Sequence, residues 1–191
     1  MTTPIDHHLG VADGEEFRTT LAAAQAGGEW AVASLYRRVN PALLRYLKGR
    51  IARDAEDVAA DAWLDVARSL ATFEGGENDF TAWVFTIARR RLIDHRRRVG
   101  RRAESADEAI AEMAAPGDAA SAALEGRLGD EAARRMVACL PDEQADIVLL
   151  RVVAGLSVEE VARLTGRRPG TVRVLQHRAL KRLAREIGED V

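Results

Sequence analysis

Cysteine, aromatic residues and long apolar runs are scarce in this chain, and each shortage excludes a class of protein. A single cysteine, Cys139, among 191 residues rules out an internal disulfide and predicts a small core residue on a helix. No run approaches the roughly 20 apolar residues of a membrane span, and the N-terminus lacks the apolar core of a signal peptide. We therefore expect a cytoplasmic protein without membrane insertion.

Patterns typical of strands and of enzymes are missing as well. Strand-type alternation of apolar and polar residues is absent, whereas alanine and leucine are plentiful, so an all-α fold is predicted. The four histidines show no metal-ligand spacing with Cys139, and no nucleophile motif or phosphate-binding loop occurs. These absences predict a binding protein with no catalytic residue, no metal, no cofactor and no small-molecule substrate.

The net charge of -2 conceals a strong segregation of charge along the chain. Residues 89–102 hold eight arginines against one acid, and residues 151–185 hold nine arginines and lysines against two acids. Residues 103–133, between these blocks, hold eight acids and one arginine. Two basic blocks around an acidic, alanine-rich stretch predict two small helical, DNA-contacting domains joined by a flexible acidic linker.

The second basic block has the spacing of a helix-turn-helix. Ser157 and Glu160 form a capping-box start for a short amphipathic helix that Gly166 ends, and Pro169 suits the first turn of the next helix. A helix-turn-helix needs a small residue where its helices meet, a glycine in the turn and an apolar anchor beyond it. The residues with this spacing are Ala162, Gly166 and Val172.

Helical periodicity assigns two faces to the second helix of this motif. The inward side is apolar and consists of Val172, Leu175, Ala179, Leu180 and Leu183. The outward side is basic, as expected of a helix that meets base edges and phosphates in the major groove. The predicted contacts to upstream DNA are Arg167, Arg168, Thr171, Arg173, Val174, His177, Arg178 and Lys181. A solvated helix face is the alternative, which the turn spacing disfavours.

The N-terminal half predicts three helices before the first basic block. They cover residues 13–26, which end at paired glycines, residues 30–50 and residues 55–71. Pro41 lies inside the second helix and is expected to kink or split it. The third helix buries one apolar side. Its residues there are Val58, Ala62, Val66 and Leu70.

The third helix is acidic on its other side. Asp57, Asp61 and Asp65 recur every fourth residue, a spacing at which like charges mildly destabilise an isolated helix. Asp54 and Asp57 complement the helix dipole, but Asp61 and Asp65 lie beyond its reach. A basic partner surface explains the pattern, and a solvated face is the alternative.

A fourth helix follows the glycine-containing loop after Phe73. Its inward residues are Phe80, Val84, Ile87, Ala88 and Leu92, and arginines fill its C-terminal half. The helix dipole accounts for only one or two cations at that end. The eight arginines of residues 89–102 therefore favour a polyanionic partner.

Together these segments resemble a bacterial RNA polymerase sigma factor of the extracytoplasmic-function (ECF) group. The resemblance rests on DAEDV before the acidic helix, then FTAWVFTIARRRLIDHRRR, LPDEQADIVLLRVVAGLSVEEVARLTG and GTVRVLQHRAL. It spans about residues 15–100 and 135–187. Two separate motifs in this order indicate the family more specifically than either motif alone. A stand-alone helix-turn-helix repressor or activator is the alternative, and it would account for the C-terminal part only.

The resemblance implies an alternative sigma factor that binds core RNA polymerase and directs promoter recognition, DNA melting and initiation. It implies docking of the third helix on the polymerase through Asp54, Asp57, Asp61 and Asp65. It implies recognition of the downstream promoter element by Phe73, Trp83, Arg89, Arg90, Arg91, Asp94 and Arg97. An anti-sigma factor is a further implied partner, and the protein would be nucleoid-associated in the holoenzyme.

The resemblance also implies a domain organisation. The domains are an N-terminal tail (1–14), the docking domain (15–100), the linker (101–121) and the helix-turn-helix domain (122–191).

The chain departs from the usual family sequence at several positions. Val174 and Leu175 stand where the family often has a Ser-Arg pair, Arg90 where Asn is common and Ala60 where Gln is usual. The promoter sequence therefore does not carry over. Helix is expected to resume near residue 119.

Overall fold

The computed structural model describes residues 9–51, 53–105 and 135–189, and within these ranges all regular structure is helical. The α-helices are α1 (Leu9–Gln25), α2 (Glu29–Lys48), α3 (Ala55–Ser69), α4 (Glu77–Ser105), α5 (Asp142–Val152), α6 (Val158–Thr165) and α7 (Pro169–Glu189). A 3₁₀ turn covers Leu70–Thr72, and residues 135–138 are helical. The all-α prediction is confirmed. Residues 101–105, which were assigned to the linker, instead belong to α4. The rest of the predicted linker and the predicted helix restart near 119 lie outside the described residues.

Helices α1 to α4 pack into an N-terminal bundle because each carries one apolar face. The inward residues expected on α3 and α4 are buried, with Ile87 only partly so. Phe17 from α1 meets Phe80 from α4 with ring centroids 5.8 Å apart, and Tyr46 from α2 meets Phe85 at 5.5 Å. These ring contacts attach α1 and α2 to α4, the helix that carries the first basic block.

Of the two effects expected at Pro41, a kink or a split, the split does not occur in α2. The helix runs without interruption from Glu29 to Lys48 with Pro41 inside. Proline removes the N–H that would bond the carbonyl four residues earlier, here that of Arg37. Pro41 and Arg37 are both exposed, so water can satisfy the carbonyl that lost its partner. Helix α1 also begins earlier than predicted, at Leu9.

Helices α5 to α7 form a C-terminal unit around Ile147, Leu150, Val161 and Val172, all buried. Cys139 is exposed, which corrects its assignment to the core. It lies in the turn before α5, where Val137 and Leu140 are the residues that face inward. The Sγ of Cys139 instead lies 3.4 Å from the carbonyl oxygen of Arg135.

The two units are in direct contact. A Cβ placed at Gly49, just after α2, would lie 2.9 Å from Cδ1 of Leu149 in α5. Helix α4 also packs against α6, and charged side chains cross between α4 and α5. The helices that were predicted to contact DNA therefore belong to one packed body in this structure.

Candidate nucleic-acid interface

Local hydrogen bonds hold the helix-turn-helix in shape. The Ser157 hydroxyl accepts from the N–H of Glu160 at 3.2 Å, and the Glu160 carboxylate accepts from the N–H of Ser157 at 2.6 Å. This reciprocal capping box confirms the predicted start of α6. Gly166 ends the helix at φ 68°, a left-handed conformation that favours glycine, and the next N–H, of Arg167, bonds the carbonyl of Ala162 at 2.9 Å. Helix α7 then begins at Pro169, as predicted.

Helix α7 presents its basic side to solvent. Val172 and Ala179 are fully buried, and Leu175 and Leu183 are partly buried. The predicted DNA contacts Thr171, Arg173, Val174, His177, Arg178 and Lys181 are exposed on the opposite side. Leu180 was expected inward but is 45% exposed. At about 100° per residue it lies some 80° from Val172, at the margin of the buried face.

Two arginines of this surface are held by acids of the same unit. Nη2 of Arg173 lies 3.0 Å from Glu159 at the start of α6, and Nη2 of Arg167 lies 2.5 Å from Glu143 of α5. Arg168 is exposed. Surface ion pairs of this kind contribute little stability and are screened by salt. The arginines are therefore oriented by the acids without being locked to them.

The predicted downstream residues on α4 divide into two groups. Arg90 and Arg97 are exposed, and Asp94 lies 4.0 Å from Arg97. Arg89 and Arg91 are instead partly buried and bind acids of other helices. Nε of Arg89 donates to Asp146 at 2.7 Å, and Arg91 donates to both carboxylate oxygens of Asp65.

Phe73 and Trp83 form an aromatic cluster on the loop side of α4. Their ring centroids lie 4.8 Å apart, and each ring also contacts Phe80. Gln25 holds the same loop from α1 by donating to the carbonyls of Leu70 and Phe73 at 3.0 and 2.8 Å. In this structure both predicted residues therefore help to pack the loop against α4.

The acidic side of α3 is also divided. Asp57 is exposed and Asp61 is partly exposed, whereas Asp65 is bound to Arg91. The hydrogen bond from Arg91 lowers the pKa of Asp65 below its ordinary value of 3.8. Asp54 precedes α3 in the left-handed conformation at φ 62°, and its carboxylate lies 3.5 Å from Nε2 of His95.

The structure adds polar residues that sequence reasoning missed. Asp146 is buried in α5, where it meets Tyr46, Arg50 and Arg89 of the N-terminal bundle. One turn earlier, Asp142 pairs with Arg50 and Arg96. The available signal in the sequence is an acid inside the apolar run ADIVLL, since a buried acid requires a partner.

Two other properties follow from the described part of the chain. No group of three or more histidine, cysteine or acidic side chains within it is arranged to hold a metal ion. None of its helices has the length and apolar composition needed to cross a membrane.

Comparison with known proteins agrees with this geometry. The family described as Sigma-70 region 2 matches residues 35–102, which contain α3 and most of α4. The family described as Sigma-70, region 4 matches residues 130–183, which contain α5, α6 and most of α7. The two matches thus cover the acidic helix, the arginine-rich helix and the helix-turn-helix in order.

Individual relatives extend over most of the chain. It is 33% identical over 183 residues to the ECF RNA polymerase sigma factor SigD of Mycobacterium tuberculosis, covering 91% of this chain and 85% of that protein. It is 35% identical over 170 residues to the ECF RNA polymerase sigma factor ShbA of Streptomyces griseus, covering 84% of this chain and 89% of that protein.

Solved structures show the same fold. The sigma factor RpoE of Bartonella quintana, in complex with the anti-sigma factor NepR, matches at 26% identity with a TM-score of 0.64, over 82% of this chain and 96% of that chain. CnrH in complex with the cytosolic domain of CnrY matches at 21% identity with a TM-score of 0.65, over 92% of this chain and 99% of that chain. The chain belongs to the ECF group of RNA polymerase sigma factors.

Proposed function

We propose that this sigma factor reads the upstream promoter element with the exposed side of α7. The observation that carries the proposal is the row formed by Arg173, Val174 and His177 near the start of α7. In helix-turn-helix proteins this part of the second helix usually reaches base edges. Val174 offers an apolar contact to a thymine methyl, and Arg173 offers a bidentate contact to guanine.

The exposed cations of α4 form the second DNA-contacting surface in this proposal. Arg90, Arg97 and Arg98 are exposed along the C-terminal half of the helix. Cations that lie beyond the apolar stripe of a helix contact phosphate, which positions a protein on DNA without reading its sequence. Recognition of the downstream element would then combine α4 with the loop that Phe73 and Trp83 pack against it.

Polymerase docking is assigned to one face of α3. Asp57, Asp61 and Leu64 recur at helical spacing, and Leu64 is 55% exposed. Two acids beside an exposed leucine suit a basic partner surface with an apolar contact at its centre. Asp65 is already bound to Arg91 of α4. We therefore assign Asp65 to holding α3 against α4 and not to contact with the polymerase.

The remaining assignments follow from family membership. Sigma factors are not enzymes, and we assign the chemistry of RNA synthesis to the polymerase and none of it to this chain. The proposed location is the cytoplasm, with nucleoid association in the holoenzyme. An anti-sigma factor is proposed as a protein partner because a relative that is 26% identical is held by one in its solved structure.

The deciding experiment measures binding to core polymerase and promoter-specific initiation by the full chain. Reversing Asp57 and Asp61 to lysine should weaken core affinity while leaving binding to duplex DNA intact. Reversing Glu15 and Glu16, which are exposed on α1, makes the same charge change as a matched control. Unchanged core affinity in the α3 variant would refute the docking face. A wild-type chain that binds DNA but not core polymerase would instead favour a repressor.

A further inference from the structure

The loop between the 3₁₀ turn and α4 is short, and hydrogen bonds fix both of its ends. This recognition loop consists of residues 73–76. At its start, the carbonyl of Phe73 accepts from Nε2 of Gln25 at 2.8 Å. At its end, the N–H of Gly76 donates to Oδ2 of Asp79 at 3.0 Å. Glu74 and Gly75 lie between these two anchors, and both are exposed.

The two anchors differ in where they come from. Asp79 belongs to the first turn of α4, whereas Gln25 is the last residue of α1 and lies 48 residues before Phe73 in the sequence. Nε2 of Gln25 also donates to the carbonyl of Leu70 at 3.0 Å. Both hydrogens of the amide nitrogen therefore hold the point at which the chain enters the loop.

The position of Gln25 is itself fixed by the packing of α1. Leu21 and Ala24 are buried in the N-terminal bundle. After α1 the chain turns through Gly27 at φ 87°, and the N–H of Gly27 bonds the carbonyl of Ala24 at 3.0 Å. Gln25 thus lies on an anchored helix end, from which its amide can impose one conformation on the loop.

We propose that Gln25 is a positioning residue for the downstream promoter element, because it presets the conformation in which the recognition loop meets DNA. This inference rests on the proposed recognition of that element by α4 and the loop. A loop that is ordered before binding loses less conformational freedom on binding, so more of its contact energy contributes to affinity. A loop held in one conformation also fits one sequence better than others. Gln25 would then determine specificity without touching a base.

A second contact at the same loop is of a different kind. Nη2 of Arg38 on α2 lies 2.5 Å from Glu77, the first residue of α4, and both side chains are partly exposed. Salt screens such an ion pair. The hydrogen bonds of Gln25 are uncharged and partly buried, so ionic strength should affect them little. The contribution of Gln25 to specificity should therefore persist at high salt.

Three variants of the full chain test this role. Gln25→Met keeps nearly the same side-chain length and has no donor. Gln25→Lys restores a donor nitrogen within reach of the same carbonyls. Leu43→Ala is the control for stability, because it leaves a cavity at a fully buried position of α2 and keeps both loop anchors.

The probes are two libraries of duplex promoter DNA, one randomised at the downstream element and one at the upstream element. Binding by the holoenzyme is measured at low and high salt. Gln25→Met should reduce discrimination between the preferred downstream sequence and its single-base variants by roughly fivefold, the equilibrium effect of about one net hydrogen bond. Discrimination at the upstream element and affinity for core polymerase should match wild type, because α7 and the docking face of α3 are unchanged.

The other variants separate positioning from general stability. Gln25→Lys should discriminate downstream sequences as wild type does, and so should Leu43→Ala despite a lower unfolding temperature. In the free protein, amide exchange at Glu74 and Gly75 should accelerate in Gln25→Met and return to the wild-type rate in Gln25→Lys.

Wild-type downstream discrimination in Gln25→Met would overturn this inference while leaving the proposed function intact. An equal loss of discrimination in Leu43→Ala would also overturn it, since the effect would then come from stability alone. A wild type that binds no promoter with core polymerase would instead refute the proposed function, and the inference with it. If circular dichroism shows that Gln25→Met does not fold, Gln25→Glu, which has the same length and no donor when ionised, decides in its place.

Discussion

Asp65 on α3 and Arg91 on α4 form a bidentate ion pair, with Nε of Arg91 2.6 Å from Oδ2 and Nη2 2.5 Å from Oδ1 of Asp65. Arg68, three residues along α3, lies 3.3 Å from the same carboxylate. The planar guanidinium matches a carboxylate in this geometry, which makes such pairs stronger than single contacts. The acidic side of α3 therefore contains one acid that joins helices and two that face solvent.

Asp65→Asn should destabilise the protein by about 1 kcal/mol, because the pair is partly exposed and solvent screens it. Asp57→Asn, on the exposed part of the same helix, should change stability far less. Urea unfolding of both variants measures the difference. Equal effects would show that the pair contributes nothing beyond a surface charge.

The same pair makes the contribution of Asp65 depend on pH. Its pKa in the folded protein lies below the ordinary 3.8, owing to the hydrogen bond from Arg91. The stabilisation is therefore present above pH 3.8 and lost as pH falls through the lower, folded value. The unfolding free energies of wild type and Asp65→Asn should converge in that acidic range. If the two unfolding free energies still differed at lower pH, the difference would not come from the Asp65–Arg91 pair.

Gly166→Ala should destabilise the protein by roughly 1 to 2 kcal/mol. A Cβ at this position meets no atom within 4 Å, so the cost comes only from the left-handed backbone at φ 68°. Gly100→Ala is the matched control, because it also has open space and lies inside α4. There alanine should stabilise the helix by about 0.5 to 1 kcal/mol. Thermal unfolding should give opposite signs for the two substitutions.

Ser157→Ala should cost about 1 kcal/mol, the usual effect of losing a helix N-cap side chain. The lost hydroxyl accepts from the N–H of Glu160, and no other residue of the capping box replaces it. Thr19→Ala removes an exposed hydroxyl from the interior of α1 and serves as the control. Amide exchange at the start of α6 should accelerate in the Ser157 variant alone.

Tyr46 should resist ionisation while the protein is folded. Burial, together with the negative charge of Asp146, raises the pKa of Tyr46 well above its ordinary value of 10.0. The tyrosinate absorbance step that Tyr46→Phe removes should therefore lie above pH 10.0. Because the unfolded chain ionises more readily, stability falls as pH rises beyond this value. Titration of Tyr46 at its ordinary pKa in the folded protein would contradict the buried contact.

Arg173→Ala and Arg97→Ala should affect DNA recognition differently. Loss of Arg173 from the start of α7 should change which upstream sequence is preferred, since a good bidentate base contact discriminates by about 1 to 3 kcal/mol. Loss of Arg97 should weaken all promoters alike and reduce the salt slope by roughly 0.9. Holoenzyme binding to a promoter library at several salt concentrations separates the two. The opposite pattern would exchange the roles of α7 and α4.

Features that depend on neighbouring residues were predictable from the sequence. The capping box of α6, the left-handed Gly166 and the faces of α3 involve residues within a few positions of one another. Their geometry follows from helical periodicity and hydrogen bonding alone. Family resemblance then supplied the order of the two units.

Features that depend on distant partners were not predictable. Asp65 and Arg91 are 26 residues apart, and Tyr46 and Asp146 are 100 apart, so no local pattern shows that they meet. Helical periodicity wrongly placed Leu180 on the inward side, because this residue lies at the margin of a buried face. Composition wrongly placed Cys139 in the core, because this residue lies in a turn. In each case tertiary packing decided the outcome.

The contact of Gly49 with Leu149 and the burial of Asp146 couple the halves of the chain thermodynamically. Neither half can lose its structure without exposing apolar surface and a charged group of the other. Calorimetry of the free protein should therefore record one cooperative transition, in which the calorimetric and van't Hoff enthalpies agree. The free energy that holds the halves together is thus part of the stability that this single transition measures.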